Sequence, residues 1–266
     1  MTPNVLSIAG TDPTAGAGIQ ADLKTFSALG TYGLTVITAL VAQNTQGVRA
    51  VHEVPSDFLV AQLDSVFDDV RVDAVKIGML GSAEVIETVA DVLARRRPPH
   101  VVLDPVMVAK SGDRLLAADA VSALRERLLP RSDLITPNLP EAADLLGASE
   151  AETDAQMREQ ANELLGLGPR AVLLKGGHLK AADSPDLLAV DGEVHRLGGP
   201  RVETKNTHGT GCTLSSAIAA LRARGSSWQT AAEEAKAYLT GTLRAADQLD
   251  VGSGHGPVHH FHALWR

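Results

Sequence analysis

Apolar runs of strand length alternate with stretches of helical spacing along nearly the whole chain, which predicts an α/β fold with a mostly parallel central sheet covered by helices on both faces. Two further observations support this. The composition, 44% hydrophobic and 21% charged, is that of a packed globular chain and not of a disordered one. Only two Trp, two Tyr and four Phe are present, so the core must be built from aliphatic side chains.

Val5 to Ala9 is a short apolar strand ending in glycine. Gly16 to Leu29 has helical spacing, with Ile19, Leu23, Phe26 and Leu29 on one face. Gly33 to Ala42 is rich in β-branched residues and predicts one buried strand, and Val48 to Val54 predicts another at an edge. Then follow a helix over Phe58 to Val70, a strand over Ala74 to Ile77, a helix over Ala83 to Arg95 and a strand over Val101 to Leu103. Ala118 to Leu128 reads as a helix and Leu134 to Thr136 as a strand; Pro140 to Leu146 and Asp154 to Leu167 read as helices. Ala171 to Leu174 is a strand, and Leu187 to Val190 with Val194 to Leu197 suits a hairpin around Asp191-Gly192. Helices over Thr213 to Arg224 and Trp228 to Leu249 close the pattern. No linker composition or repeat divides the 266 residues, so residues 1–266 are read as one domain, with ligands expected beyond the carboxyl ends of the strands.

Charge and cysteine content exclude several classes. With 24 basic and 32 acidic residues the formal charge is −8, the wrong sign for a protein that displaces counterions from a nucleic-acid backbone. So few aromatic rings also speak against a base-stacking platform. The one cysteine rules out an intrachain disulfide. No apolar stretch is long enough for a membrane span, and Met1-Thr2-Pro3-Asn4 is not the start of a secretory signal, so a soluble cytoplasmic protein is expected.

Gly16-Ala17-Gly18-Ile19-Gln20-Ala21 matches the dinucleotide fingerprint, but between Asp22 and Glu53 there is no acidic residue to hold a ribose. Residues 10–15 also separate it too far from the preceding strand, and no Walker P-loop occurs. Thr207-His208-Gly209-Thr210-Gly211-Cys212-Thr213 is more informative. Glycines ahead of a helix let backbone N–H groups converge where the helix dipole adds positive charge, a geometry suited to a phosphoryl group in flight. The same position should lower the pKa of Cys212, whereas bound polyphosphate should raise it, and a buried structural cysteine is the competing reading. Asp104, Asn138 with Glu141, and Lys175 each follow a predicted strand. The carboxylates and amide suit Mg²⁺ with its water shell, and the lysine with Gly176, Gly177 and His178 suits phosphate oxygens; a capping Asn138 or a solvated Lys175 is the simpler reading of each alone. Arg95-Arg96-Arg97 reads as charge at a helix C-terminus, and Val258-His259-His260-Phe261-His262 as a packed terminal segment instead of a metal site.

The combination of Ile8-Ala9-Gly10-Thr11-Asp12-Pro13, Gly16 to Lys24, Ala39 to Asn44, Lys76-Ile77-Gly78-Met79-Leu80, Leu103-Asp104-Pro105-Val106-Met107, Thr136 to Glu141 and Lys205 to Cys212 closely resembles the bacterial hydroxymethylpyrimidine/phosphomethylpyrimidine kinases of thiamine biosynthesis. The resemblance runs from about residue 4 to the closing Gly-Pro-Val-His-His-Phe. It implies a ribokinase-like three-layer α/β/α fold. It also implies that ATP, with Mg²⁺, phosphorylates 4-amino-5-hydroxymethyl-2-methylpyrimidine to its monophosphate and then to its diphosphate.

Carried over motif by motif, the resemblance puts Gly10, Asp22, Gln43, Met79 and Val106 around the pyrimidine. Asn138, Lys175, Thr204 and Lys236 would bind ATP, and Asp104 and Glu141 the metal. Gly209, Thr210 and Gly211 would form the anion hole, with Cys212 in the place of the catalytic aspartate of most ribokinase relatives. The partners so implied are the small pyrimidine and ATP, with no nucleic acid and no membrane; a homodimer is also implied, though nothing in the sequence indicates it independently. Two rivals remain: a pyridoxal/pyridoxine kinase, and a vitamin-precursor binding protein without turnover. One departure stands out, because the family's first loop usually has glycine where this chain has Ala15. Were that position to need a positive φ, alanine would cost about 1 kcal/mol.

Overall fold

The computed structural model describes residues 1–107, 118–177, 179 and 183–265; His178 lies outside the described residues. The main sheet has eight strands in the order β10-β9-β8-β7-β6-β5-β1-β2. Six of them are mutually parallel: β1 (Asn4–Ala9), β2 (Tyr32–Ile37), β5 (Ala74–Ile77), β6 (Val101–Leu103), β7 (Leu134–Ile135) and β8 (Ala171–Lys175). β9 (Asp186–Val190) and β10 (Glu193–Leu197) add an antiparallel hairpin at one edge. Its turn, Asp191-Gly192, has positive φ at both residues (52° and 81°), as a tight hairpin of matching twist requires.

Alternation along the strands sorts the core into two layers. Leu6, Ile8, Val75, Ile77, Leu103, Ile135 and Val172 face one side. That side is covered by α2 (Ser56–Asp69), α3 (Ala83–Arg96), α4 (Ala118–Ala123), α5 (Leu139–Leu146) and α6 (Asp154–Leu165). Val5, Ala74, Val102, Leu134, Ala171 and Leu173 face the other, under α1 (Gly18–Ala28), α7 (Thr210–Ala223) and α8 (Trp228–Arg244). This is the three-layer α/β/α arrangement expected from the sequence. A strand residue such as Leu103 has no exposed surface, so its truncation to alanine would cost about 2–5 kcal/mol.

Several boundaries differ from the sequence reading. Gly33 to Ala42 is not one strand, because the chain leaves the main sheet at Thr38. The Thr38 hydroxyl donates to the Met79 carbonyl at 2.7 Å, and its N–H to Ala9 at 3.1 Å. Beyond it, β3 (Ala39–Asn44) pairs only with β4 (Gly47–Glu53), in a separate two-stranded sheet. Hydrophobic pattern alone could not show that turn, since both halves carry β-branched residues. α1 begins at Gly18 and not Gly16, because residues 12–17 wind around Asp12. α7 begins three residues earlier than its apolar pattern, at Thr210, so Thr210, Gly211 and Cys212 form its first turn. The helix after Ala118 passes into a π turn at Leu124–Leu128, and α8 ends at Arg244 before a short 3-10 turn at Ala246–Gln248.

Two bland readings match what is seen. Arg96 pairs with Asp64 and Asp68 at the end of α3. His259 and His260 are buried in the packed terminal segment. Among the described residues no helix is long and apolar enough to cross a membrane.

Candidate active site

The strand alternation that builds the core also builds the site. At the carboxyl ends of five parallel strands, the position facing α7 is polar: Ser7 on β1, Lys76 on β5, Asp104 after β6, Thr136 after β7 and Lys175 on β8. Lys76, Asp104 and Lys175 reach the N-terminus of α7, while Ser7 and Thr136 lie behind them, bonded to Asp22 and Asp104. There a cleft of about 670 Å³ opens between the strand ends and the helix.

Asp104 organises one half of this row. Its Oδ1 accepts from Lys175 Nζ at 3.0 Å and from the Thr136 hydroxyl at 2.9 Å, while Ser215 of α7 approaches Oδ2 at 3.4 Å. Burial opposes the charge on Asp104, but Lys175 and Lys76 hold its pKa below the usual carboxylate value. Lys175 Nζ also lies 3.9 Å from Glu141 Oε2, so one ammonium stands between two carboxylates. Burial opposes the Lys175 charge as well, yet Asp104 and Glu141 keep its pKa above the ordinary lysine range. Burial pushes Glu141 up to about 7, with Asp104 adding to the rise and Lys175 opposing it.

Asn138 caps α5 as the simpler reading held. Its side chain accepts from the Glu141 N–H at 2.8 Å, and the Glu141 carboxylate accepts from the Asn138 N–H at 2.8 Å. Both residues still line the cleft.

Lys76, to which the sequence motifs assign no role, organises the other half. Its ammonium is fully buried and bonds both oxygens of Asp22 at 2.9 Å. Ser7 at 2.5 Å and Ser216 at 2.6 Å complete the Asp22 carboxylate. Burial works against the Lys76 charge, but Asp22, Cys212 and Asp104 keep its pKa above the usual lysine value. Lys76 borders the cleft whereas Asp22 lies behind it with both oxygens occupied, so Asp22 does not offer the direct pyrimidine contact expected of it. The available signal was a lysine inside the apolar strand Ala-Val-Lys-Ile, because such a buried cation needs a partner.

Gly209 caps α7 with φ of +81°, and a Cβ there would stand 1.8 Å from the Gly16 carbonyl oxygen, so only glycine fits. Among the described residues, the N–H groups of Gly211 and Cys212 have no protein acceptor, and they lie in the first turn of a 14-residue helix, where its dipole is positive. The fall in pKa expected for Cys212 from that position does not occur. Burial pushes its thiol up to about 11; Lys76 and the Gly18 N–H oppose this, and Asp22 and Asp104 reinforce it. The half-buried thiol is therefore protonated at neutral pH.

Gly10 and Met79 adjoin on the opposite wall, where a Cβ on Gly10 would stand 2.8 Å from Met79 Cε; Gln43 and Val106 line the same cleft. Gln43 Nε2 reaches the Thr11 carbonyl at 3.4 Å. At the other end Lys236 borders the cleft, but its ammonium is held by Asp186 at 2.6 Å and by the Ser184 carbonyl at 2.8 Å. Thr204 stands off the cleft wall, its hydroxyl donating to Asp247 at 2.6 Å. The first loop does hold Ala15 at a φ of +59°, the conformation glycine takes at lowest cost.

The sequence matches the phosphomethylpyrimidine kinase family over residues 12–259. It is 61% identical to a hydroxymethylpyrimidine/phosphomethylpyrimidine kinase of Salmonella typhimurium over 262 residues, covering 98% of each chain. It is 53% identical to part of a thiamine biosynthesis bifunctional protein of Geobacter sulfurreducens, over 97% of this chain and 52% of that one. Among solved structures, an ADP complex of Bacillus subtilis pyridoxal kinase superposes with a TM-score of 0.92 at 36% identity, over 100% of both chains.

Proposed function

This chain belongs to the phosphomethylpyrimidine kinase family, and from that membership we propose how its cleft performs the reaction. The chain is an ATP-using phosphotransferase of thiamine biosynthesis, with a ribokinase-like fold, that acts on hydroxymethylpyrimidine and then on the monophosphate. We read residues 1–266 as one kinase domain, cytoplasmic, with small-molecule partners; a homodimer is implied only by the family resemblance.

The observation that carries the division of labour is the polar row at the strand ends, facing the free amides of α7. The pyrimidine alcohol lies between Gly10, Gln43, Met79 and Val106, where an amide side chain can both donate to and accept from a ring edge. Its hydroxyl faces Cys212. The γ-phosphoryl group sits at the Gly209–Cys212 turn, where N–H groups and helix dipole match the charge of the transition state. Lys175 contacts the phosphate chain, Asn138 shapes that wall as the α5 cap, and Lys236 lines the nucleotide end. Thr204 acts there only through Asp247. Asp22 serves the substrate indirectly by fixing Lys76, whose buried positive charge lies beside Cys212.

Two buried carboxylates with one ammonium between them are oxygen donors of the kind Mg²⁺ takes, and among the described residues no fuller ligand cage gathers. Asp104 and Glu141 would hold the ion, which when bound with ATP neutralises phosphate charge. The attacking hydroxyl oxygen forms a bond to phosphorus as the bond to the ADP oxygen breaks, and the hydroxyl proton passes late to an oxygen of the transferred phosphoryl group. A thiolate that is scarce at neutral pH is not a standing base. In a loose transition state, where deprotonation comes late, Cys212 acts as the neutral thiol in contact with the hydroxyl, with the buried Lys76 charge beside it.

The test is to incubate the purified protein with ATP, Mg²⁺ and the pyrimidine alcohol and to follow products by phosphorus NMR. Monophosphate followed by diphosphate is expected; a clean stop at the monophosphate with excess ATP would refute the second step. The Bacillus subtilis structure favours pyridoxal phosphorylation as the second reading, so kcat/KM is compared for the two alcohols. A preference for pyridoxal would overturn the substrate assignment.

A further inference from the structure

Asp12 and His208, 196 residues apart in sequence, meet beside the cleft with His208 Nε2 2.8 Å from Asp12 Oδ2. Asp12 has no exposed surface, and both of its oxygens are engaged. Oδ1 accepts from the N–H and the hydroxyl of Thr14 at 2.9 and 2.8 Å; Oδ2 accepts from the N–H groups of Gly16 and Ala17 at 3.0 and 2.8 Å. The first loop is thus wound around a single carboxylate. Burial opposes its charge, but the bonds from His208 and Thr14 hold Asp12 at about 2, so it is an anion throughout the physiological range.

His208 is fixed from its other side as well, its backbone N–H donating to the Gly256 carbonyl at 3.0 Å. There is no slack between the two loops. A Cβ on Gly16 would stand 2.5 Å from His208 Cδ2, and one on Gly209 would meet the Gly16 carbonyl. The residue after His208 is the α7 cap, and Gly18, at the far end of the first loop, lines the same cleft as Cys212. One side-chain bond therefore joins the segment that carries the acceptor wall at Gly10 to the segment that carries the free amides of α7.

We propose that His208 is a positioning residue for phosphoryl transfer, its ring, gripped by Asp12, setting the first turn of α7 in register with the loop beside the acceptor alcohol. This rests on the kinase reading above. His208 acts through the two loops it joins and not on the reacting atoms, and in-line transfer is sensitive to such register.

The experiment compares wild type, His208→Ala, His208→Gln, Asp12→Asn and the Asp12→Asn/His208→Ala double variant. Glutamine keeps an N–H donor near the reach of Nε2. Loss of the ring should lower kcat about 10- to 100-fold, since displacements near 1 Å have effects of that size. The KM for ATP should stay within about threefold, because nucleotide contacts are untouched. His208→Gln should recover most of the rate, and the double variant should be no slower than the slower single variant, as expected of groups that act as a unit. Amide hydrogen exchange, read without turnover, should quicken in both residues 12–18 and residues 209–212 of His208→Ala. Thermal unfolding establishes which variants are folded at the assay temperature; if His208→Ala is not, His208→Asn, too short to reach Asp12, replaces it. A kcat within about twofold of wild type, strictly additive losses, or a loss that glutamine does not recover would each overturn the proposal. Absence of ADP formation by the wild type would instead refute the kinase reading, while coupled exchange of the two segments would still report the link.

Discussion

Lys76 Nζ lies 2.9 Å from each carboxylate oxygen of Asp22, and neither side chain has any exposed surface. A buried ion pair of this kind contributes little to stability by existing but costs much when one partner is removed. Asp22→Asn should therefore destabilise the protein by about 3–5 kcal/mol in urea unfolding, through the stranded Lys76 charge. Lys76→Met combined with Asp22→Asn should regain part of that stability, yet its kcat should stay at least about tenfold below wild type, since the fixed charge beside Cys212 is gone. Recovery of both stability and kcat would make the pair structural only.

Ala15→Gly should raise stability by up to about 1 kcal/mol. Alanine at a φ of +59° carries left-handed strain, and glycine removes it at some cost in unfolded-state entropy. Thermal or urea unfolding reads the difference, and a destabilised glycine variant would mean that the Ala15 methyl supplies packing that outweighs the strain.

Acid should weaken the fold through His260. Burial, followed by the charges of Lys24 and His259, depresses its pKa to about 3, and its Nε2 lies 3.0 Å from the Thr213 hydroxyl. The unfolded chain protonates this ring near the ordinary value, about 6.5, so it binds more protons than the native state between there and about 3. The stability from the neutral ring is whole above that window and is lost as pH falls through it. Urea unfolding of His260→Gln should show a flatter loss between these limits; an unchanged pH slope would remove His260 from the cause.

Thiol alkylation should be slow at neutral pH and gain about tenfold per pH unit up to pH 9, because Cys212, pushed up to about 11, exposes little thiolate below that. Modification should inactivate the enzyme, and bound pyrimidine should protect it. A rate already at its plateau near pH 7 would show that the amides and Lys76 outweigh burial.

The layers and most elements were legible because their signals are local. The Val-Val-Leu run before Asp104, the Asn138/Glu141 capping box and the glycine at position 209 each carry their reason in the neighbouring residues. What was hidden depended on contacts between distant segments. Thr38 ends β2 by bonding Met79 and Ala9, and nothing near Thr38 announces it. Asp22 appeared to be a substrate ligand because its motif says nothing of Lys76, which lies 54 residues away. The Cys212 thiol was placed correctly at a helix start, but the size of its burial is a property of the packed strand ends. Ala15 was the opposite case: the loop pattern singled out the residue and posed the question of a positive φ, which only the backbone answers.

Steady-state kinetics of Cys212→Ala with the pyrimidine alcohol at saturating ATP and Mg²⁺ measure most directly whether this residue works at the reacting hydroxyl. Loss of a contact that acts in the transition state should raise the barrier by roughly 2–4 kcal/mol, so kcat should fall by about two to three orders of magnitude with little change in the KM for ATP. Cys212→Asp, which restores an ionisable group at that position, should retain more activity than the alanine variant. A Cys212→Ala enzyme that turns over at the wild-type rate at neutral pH would contradict this and leave Cys212 a packing residue.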